Sequence, residues 1–302
     1  MTDSVKAWSR REVAGMLAHL ARCREAARVS LKCFIIALLP LGLPVQAAEN
    51  WHYLDNGEVR LGVNLNAGAC IGWFSKSGTQ ENLLNAYDVG RYVQQSYYGD
   101  EDGSDWNGKP WRYNPVQGGS WKNEPAEVVA TQADATSFYA KTKPRHWASG
   151  AFTPECIMEE WLRLDGGLAR LKFKMSYTGT QAHKPRHQEL PALFVTPKLD
   201  TLVFMGADTK LTRQQPSFPN EYFKVSEPWC AWVDSKDHGI GLSMPHTSQI
   251  TCYRVRNGDL GDCSYLAPIQ TFSLKPGVVF EYEVVLMIGH LEQIRAAFAK
   301  MK

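Results

Sequence analysis

The stretch CIMEEWLRLDGGLARLKFKMSY, residues 156–177, decides the fold class of this chain. Its first half alternates apolar and polar residues, so that Met158, Leu162 and Leu164 share one face of a strand. Glu160 lies on the same face, where a carboxylate is costly unless it is paired or functional. A turn-forming Asp-Gly-Gly separates this strand from a second strand-like run. The pattern is typical of antiparallel β-structure.

The same rhythm of short strands and turn clusters continues along most of the chain. We predict strands at residues 59–65, 70–75, 92–98, 126–133, 137–142, 157–164, 169–177, 190–195, 201–204, 230–234, 240–244, 250–256, 269–274 and 278–288. Only residues 291–302 show helical spacing. Many strands without alternating helices favour an all-β antiparallel sandwich, with residues 48–302 as one domain and a short C-terminal helix.

The first fifty residues have a different character. A basic run leads into the apolar stretch CFIIALLPLGLPV, residues 33–45, which has the size of a secretory h-region. Small residues at Val45 and Ala47 suit cleavage after Ala47. A membrane-spanning helix is the alternative, but it needs about 20 apolar residues without such prolines. The sequence therefore predicts a signal peptide over residues 1–47 and a periplasmic or extracellular location.

The charge of the chain changes once this leader is removed. Residues 1–47 take seven basic and three acidic residues from totals of 33 and 31, which leaves a net charge of about −2. No basic stripe remains, so we predict no nucleic-acid partner, and no membrane partner after cleavage. The sequence carries no signal of an oligomeric state.

Five cysteines follow the predicted cleavage site. Cys252 and Cys263 flank a turn-forming Asn-Gly-Asp, and in an oxidising compartment we predict a disulfide between them across a hairpin. No CxxC pair or His/Cys array has metal spacing. The acidic residues 100–105 lack the EF-hand pattern and are expected to be solvated. We therefore predict neither a metal nor a cofactor.

The stretch GRYVQQSYYGDEDG, residues 90–103, is unusual for a strand. If Arg91–Tyr98 is extended, both of its faces are polar and aromatic, which favours a strand that lines a cleft. Residues 99–125 follow as a long segment that we predict to have no strands of its own. It carries Trp106 and Trp111, and such a segment is typical of a functional lid. The alternative is that the rings only pack this loop onto the sandwich.

The segment EVRLGVNLNAGACIGWFSKSGTQENLLNAYDVGRYVQQ, residues 58–95, resembles the opening of aldose 1-epimerases, or galactose mutarotases. These proteins begin with strands around a Gly-rich turn, an NLL segment and a Gly-Arg-Tyr-x-Asn-Arg run that reaches the sugar. Gln94 and Gln95 occupy the Asn and Arg positions here. FSLKPGVVFEYEVVLMIG, residues 272–289, resembles the closing strand pair. The resemblance, over most of residues 56–290, implies an antiparallel β-supersandwich with a saccharide site.

A third segment of the resemblance bears on chemistry. In MSYTGTQAHKPRHQELPALFV, residues 175–195, His187 matches a sugar-contacting histidine of the family. Mutarotases also place a glutamate base shortly before the last strands, but residues 264–274 contain no acid. Gln95 likewise removes a charge from the sugar site. The resemblance therefore implies the fold and sugar binding, whereas the mutarotase reaction lacks its base.

The candidate site residues follow from the chemistry of sugars. Planar amides, charges and aromatic rings suit a saccharide, whose hydroxyls lie on its edges and whose C–H groups lie on its faces. Histidines and carboxylates with raised pKa are the usual groups for acid/base work. We predict catalytic roles for His187, His146, Glu189 and Tyr97, and substrate binding by Arg91, Gln94, Gln95, Tyr98, Trp106, Trp111 and Arg145. For each histidine, a structural hydrogen bond is the alternative.

These residues predict a carbohydrate-active enzyme that acts on a glycan or sugar by acid/base chemistry. Hydrolysis requires two carboxylates about 5 Å or 6.5–9.5 Å apart. Elimination uses a tyrosine or histidine to move the proton, and epimerisation is the third reaction left open. A non-catalytic carbohydrate-binding protein is the alternative, and a structural envelope protein would bind no saccharide.

Overall fold

The computed structural model describes residues 50–244 and 247–301, which belong to a unit that begins at Ala48. The predicted signal peptide lies outside the described residues. The strands are β1 Trp51–Asp55, β2 Val59–Asn64, β3 Cys70–Lys76, β4 Val93–Ser96, β5 Glu101–Trp106, β6 Lys109–Arg112, β7 Pro115–Val116, β8 Glu127–Ala133, β9 Ser137–Lys143, β10 Arg145–His146, β11 Cys156–Asp165, β12 Leu168–Tyr177, β13 Arg186–Val195, β14 Thr201–Gly206, β15 Leu211–Gln214, β16 Glu221–Val233, β17 His238–Ser243, β18 Gln249–Val255, β19 Cys263–Phe272 and β20 Val279–His290.

Most strands form two antiparallel sheets. The first sheet runs β1-β2-β3-β4-β13-β19-β18-β16, and β7 and β10 extend from β4. The second sheet runs β8-β9-β11-β12-β20-β17-β16-β14-β15. The long strand β16 belongs to both sheets, because its start pairs with β18 and its end pairs with β17.

The hydrophobic core lies between the two sheets. It joins residues of the first sheet, such as Phe74 and Leu266, to Leu162 and Phe173 of the second. In the hairpin β11–β12 the inward positions are buried, whereas their neighbours are more exposed. Burying one apolar face of each sheet against the other is the physical reason for the sandwich. The prediction of an all-β antiparallel sandwich is confirmed.

The helix α1 (Leu291–Ala299) lies within the predicted helical segment. It buries Leu291, Ile294 and Phe298 in a second apolar cluster that includes Trp229 of the second sheet. This cluster covers part of the second sheet on the side away from the main core. Among the residues that the structure describes, no helix is long and apolar enough to cross a membrane.

The segment predicted to lack strands folds instead as a hairpin, β5–β6, followed by β7. Asn107 and Gly108 take positive φ values of 52° and 78° at its turn, and Asp105 Oδ1 accepts a hydrogen bond from the Gly108 amide at 2.8 Å. An Asn-Gly pair is a strong hairpin signal. The prediction was wrong because the flanking strands are polar on both faces and do not alternate.

The predicted Cys252–Cys263 disulfide is also wrong, since both thiols are free. The strands β18 and β19 do form the expected hairpin, but Cys252 pairs with Leu266 while Cys263 pairs with Val255. Cys252 is three residues from Val255 on β18, and Cys263 is three residues from Leu266 on β19. The two side chains therefore lie on opposite faces of the sheet, with Cys252 in the main core and Cys263 in a cluster on the other face.

Candidate functional site

The face of the first sheet that points away from the main core carries two adjoining cavities. Cavity A has a volume of about 350 Å³ and cavity B about 600 Å³. They share four lining residues, Tyr98, Trp111, Glu189 and Asn220, and together form the cleft. Volumes of this order are typical of small-molecule sites.

Strand β4 supplies part of the floor of the cleft. It is shorter than predicted, and Tyr92 just before it has a φ of 75°. Because side chains alternate along a strand, Gln94 and Tyr98 line cavity A, while Gln95 and Tyr97 lie on the other face. The polar strand thus does line a cleft, but on one face alone.

Gln94 serves the backbone around the cleft. Its Oε1 accepts a hydrogen bond from the Gly118 amide at 2.7 Å, and its Nε2 donates to the carbonyls of Val89 and Arg91. The side chain is buried. Its amide atoms are therefore already paired, and Gln94 shapes the cleft through the loops that it holds.

Gln95 and Tyr97, which we predicted to act at the site, are fully buried away from the cleft. The Tyr97 hydroxyl donates a hydrogen bond to Gln95 Oε1 at 3.0 Å, and Gln95 Nε2 donates to the Glu159 carbonyl at 3.1 Å. The physical reason is strand parity, which directs both side chains between the sheets. Neither residue contacts the space in which a substrate of the cleft would lie.

Glu189, on β13, lies where cavities A and B meet. The Tyr98 hydroxyl donates a hydrogen bond to Glu189 Oε1 at 3.0 Å. The Tyr265 hydroxyl is buried at the same wall of cavity A without a hydrogen-bond partner of good geometry. Burial raises the pKa of Glu189, although the Tyr265 and Tyr98 hydroxyls stabilise its carboxylate. The result is a carboxyl group suited to proton transfer.

His187 lies two residues before Glu189 on the same strand and therefore on the same face. Its side chain is exposed, lines cavity B, and packs against the Tyr222 ring with a centroid distance of 5.8 Å. Arg112 and Arg186 also line this cavity. A histidine, a residue type that commonly transfers protons, thus shares cavity B with Glu189.

The hairpin β5–β6 forms one wall of the cleft. Trp106 packs edge to face on Trp111 at 4.6 Å and on Trp147 at 6.2 Å, and all three rings line cavity A. Trp111 Nε1 donates to Asn114 Oδ1 at 3.2 Å. The two tryptophans expected in a lid therefore lie in the wall, with ring faces and edges available to a ligand.

His146 anchors this hairpin. Its Nε2 is 2.7 Å from Asp102 Oδ2 on β5, while its Nδ1 accepts hydrogen bonds from the Ala148 and Ser149 amides at 3.1 and 3.2 Å. These partners place the proton on Nε2. His146 is buried and lines neither cavity of the cleft, so its position is that of a structural histidine.

The two predicted binding arginines are engaged by the protein itself. Arg145 donates to the carbonyls of Pro125 and Gly150, each at 2.6 Å, and lines neither cavity. Arg91 does line cavity A, but it is paired with Asp88 at 2.6 Å and donates to the Gly261 carbonyl at 3.1 Å. Arg91 therefore lines the cleft with its positive charge already neutralised by Asp88.

No metal centre is evident in the part of the chain that the structure describes. Within residues 50–244 and 247–301, no group of three or more His, Cys, Asp or Glu side chains is placed to hold an ion.

Comparisons with known proteins bear on the architecture around this cleft. No family model matches the chain, and no curated protein matches it in sequence. Among solved structures, the Slr1438 protein from Synechocystis sp. PCC 6803 superposes with a TM-score of 0.55 at 15% identity, over 80% of this chain and 96% of that one. The galactose mutarotase related enzyme from Lactobacillus acidophilus gives a TM-score of 0.55 at 11% identity, over 80% and 97%.

A galactose mutarotase-like protein from Lactobacillus casei ATCC 334 gives a TM-score of 0.53 at 9% identity, over 80% of this chain and 100% of that one. The chain has the galactose mutarotase-like fold. The resemblance found in the sequence is thereby confirmed at the level of the fold. The identities are too low to carry an activity across.

Within the galactose mutarotase-like fold of this chain, the cleft contains residues that we had not predicted. Tyr253 and Tyr265 are register partners on β18 and β19 and both line cavity A. Each lies six residues from residue 259, at the turn of the predicted hairpin. A register centred on that residue would therefore have paired the two tyrosines. Phe218 and Asn220 gave no such signal, because they lie in the loop before β16, whose path depends on distant contacts.

Proposed function

We propose that this protein binds a saccharide in the cleft and acts on it by proton transfer, with Glu189 as the principal acid/base group. The single observation that carries the proposal is the environment of Glu189. Its carboxyl group has a raised pKa, accepts a hydrogen bond from Tyr98 and lies at the meeting point of two open cavities. Aromatic walls and the galactose mutarotase-like fold support a sugar as the ligand.

The number of carboxylates favours some reactions over others. Glu189 is the single carboxylate among the described residues that line cavities A and B. Hydrolysis by a carboxylate pair needs a second one within about 10 Å across the bond. A lone carboxylate with a neighbouring histidine suits elimination or epimerisation instead.

The proposed chemistry uses Glu189 as base and His187 as acid. In an epimerisation through ring opening, Glu189 takes the proton of the anomeric hydroxyl, and the O–H electron pair forms the C=O bond of the open chain. The bond between the anomeric carbon and the ring oxygen breaks, and that oxygen gains a proton from His187. Ring closure on the other face of the carbonyl reverses these transfers. In an elimination, Glu189 takes a proton from carbon, the C–H electron pair becomes a C=C bond, and the departing oxygen is protonated by His187. In both cases Tyr98 orients the Glu189 carboxylate through its hydrogen bond.

A substrate panel tests this proposal. The purified protein should be incubated with neutral and uronate-containing saccharides while anomeric equilibrium, reducing ends and the absorbance of unsaturated products are followed. We expect turnover of at least one substrate, and the His187→Ala variant should lose about 10²- to 10⁴-fold of it. Binding and turnover of no saccharide in the panel would refute the proposal.

A second candidate function is non-catalytic saccharide binding. The observation in its favour is that residues 264–274, which include most of β19, contain no acid, so the base of the family that the sequence resembles is missing there. The same His187→Ala variant separates the two functions. A binding protein should lose affinity only modestly, and wild-type protein should bind a saccharide without forming any product.

We also propose that the protein acts outside the cytoplasm, on the strength of the predicted signal peptide. N-terminal sequencing of the exported protein should find Ala48 as the first residue. Full-length protein retained in the cytoplasm would contradict export, without bearing on the chemistry of the cleft.

A further inference from the structure

A third cavity continues the cleft. Cavity C has a volume of about 430 Å³ and shares Phe218 and Val255 with cavity A. It shares no lining residue with cavity B. The three cavities therefore follow one another in the order C, A, B along the outer face of the first sheet. Each one alone has the volume of a small-ligand site, about 300–1,000 Å³.

Glu189 lies inside this series and not at its end. It lines both A and B, so space for a ligand extends to either side of its carboxyl group. Among the described residues that line the three cavities, no other carboxylate occurs. A single sugar ring would fill one cavity and leave the others to solvent.

Aromatic rings are present on both sides of Glu189. Phe218 stands between cavities A and C, where 65% of its surface is exposed. Tyr222 lines cavity B and is 52% exposed. Exposed large rings gain from a covering ligand, and the C–H face of a sugar is such a cover. Both rings stand on the first sheet's outer side at the rim of the cleft.

We infer that the substrate is a chain of several sugar units that crosses Glu189, with subsites in cavities A and C on one side and in cavity B on the other. This inference rests on the proposed function and adds the size of the substrate to it. Units on both sides place an internal linkage, rather than a free end, over the acid/base group. Phe218 and Tyr222 are aromatic platforms, one on each side of Glu189.

The test measures how affinity and turnover depend on chain length. Monomer, dimer, tetramer and hexamer ladders of a neutral β-glucan and of a polyuronate should be titrated by calorimetry and assayed for product. We expect affinity for at least one ladder to rise about tenfold or more from dimer to hexamer. Phe218→Ala and Tyr222→Ala should each weaken hexamer binding by about 5- to 30-fold, a larger factor than either variant costs monomer binding.

Controls keep the two proposals separable. Trp161→Ala alters an aromatic ring on β11 of the second sheet, outside the three cavities, and should leave hexamer binding unchanged. Melting temperatures confirm that each variant folds. Binding or turnover of a monomer as strong as that of the hexamer would overturn the extended site while leaving the proposed function standing. Failure of every saccharide of every length would overturn both.

Discussion

Two glutamates of this protein have raised pKa values, in contrasting surroundings. Glu189 lies on the outer face of the first sheet, half-buried, at the meeting point of two open cavities. Glu160 lies between the sheets and has no exposed surface. Burial raises the pKa of both carboxyl groups, and the pKa of Glu160 reaches about 8.

The neighbours of the two carboxyl groups differ as well. Glu189 accepts a hydrogen bond from the Tyr98 hydroxyl, whereas Glu160 Oε2 accepts one from Gln117 Nε2 at 2.9 Å. Glu160 Oε1 is buried without a hydrogen-bond partner, which costs less for a neutral carboxylic acid than for a carboxylate. Glu160 thus has no path to a ligand. A raised pKa therefore identifies a functional carboxylate only when a substrate can reach it.

The largest expected effect separates the two residues by activity. Glu189→Gln removes the proposed base but keeps its shape, so turnover should fall by about 10²- to 10⁴-fold with little change in saccharide affinity. Glu160→Gln should leave turnover unchanged, because Glu160 does not contact the cleft. Steady-state kinetics of both variants on one substrate provide the measurement. Equal losses of turnover from the two variants would show that Glu189 has no special role in the reaction.

The free energy of unfolding should also distinguish the two glutamates, and here Glu160 should have the larger effect. The folded protein keeps the Glu160 proton up to about pH 8, while the unfolded chain loses it near pH 4.5. The folded state binds more protons between these values, so the free energy of unfolding falls as the pH rises through this window, by up to about 5 kcal/mol.

Glu160→Gln removes this dependence. Urea denaturation should find the variant similar to wild type near pH 5 and several kcal/mol more stable near pH 9. A wild-type stability that stays level from pH 5 to pH 9 would show that Glu160 ionises freely in the folded state.

The sequence predicts the inward face of β11, including Glu160, because alternation along a strand is a local property. The same rule could have separated Gln94 from Gln95, but both faces of that strand are polar, so hydrophobicity does not show which face is inward. The register of β4 showed it, since Val93 pairs with Ile71 of β3 and Leu193 of β13, which lie in the main core, and Gln95 shares the face of Val93.

Convergence in the cleft was the less predictable part. Tyr98 and Glu189 are 91 residues apart and meet because Ser96 pairs with Glu189 between β4 and β13. Such long-range register has no local signal. The chemical types of Tyr98, His187 and Glu189 indicated candidates. For His146, the same chemistry was misleading, since its role depends on Asp102, 44 residues away.

The hydrogen bond to Glu189 gives a smaller effect. The Tyr98 hydroxyl stabilises the Glu189 carboxylate and so limits the rise of its pKa. Tyr98→Phe should raise that pKa further, because the variant loses a hydrogen bond that favours the carboxylate. If Glu189 is the base, the acidic limb of kcat/KM should lie above pH 4.5 in the wild type and move to higher pH in the variant. An unchanged limb would assign it to another group.

The smallest expected effect concerns the wall that the hairpin β5–β6 forms in the Glu189 cleft. Asp102 holds β5 to His146, so Asp102→Asn weakens a charge-assisted hydrogen bond and should loosen the Trp106 and Trp111 wall. We expect saccharide affinity to fall by about 1 kcal/mol, with tryptophan fluorescence changed and Glu160-dependent stability intact. Glu101→Gln, an exposed position on the same strand, is the matched control. Equal losses of affinity from both variants would attribute the effect to the charge of the hairpin. A loss confined to Asp102→Asn would show that saccharide binding beside Glu189 also depends on the tryptophan wall, which Glu160 lacks.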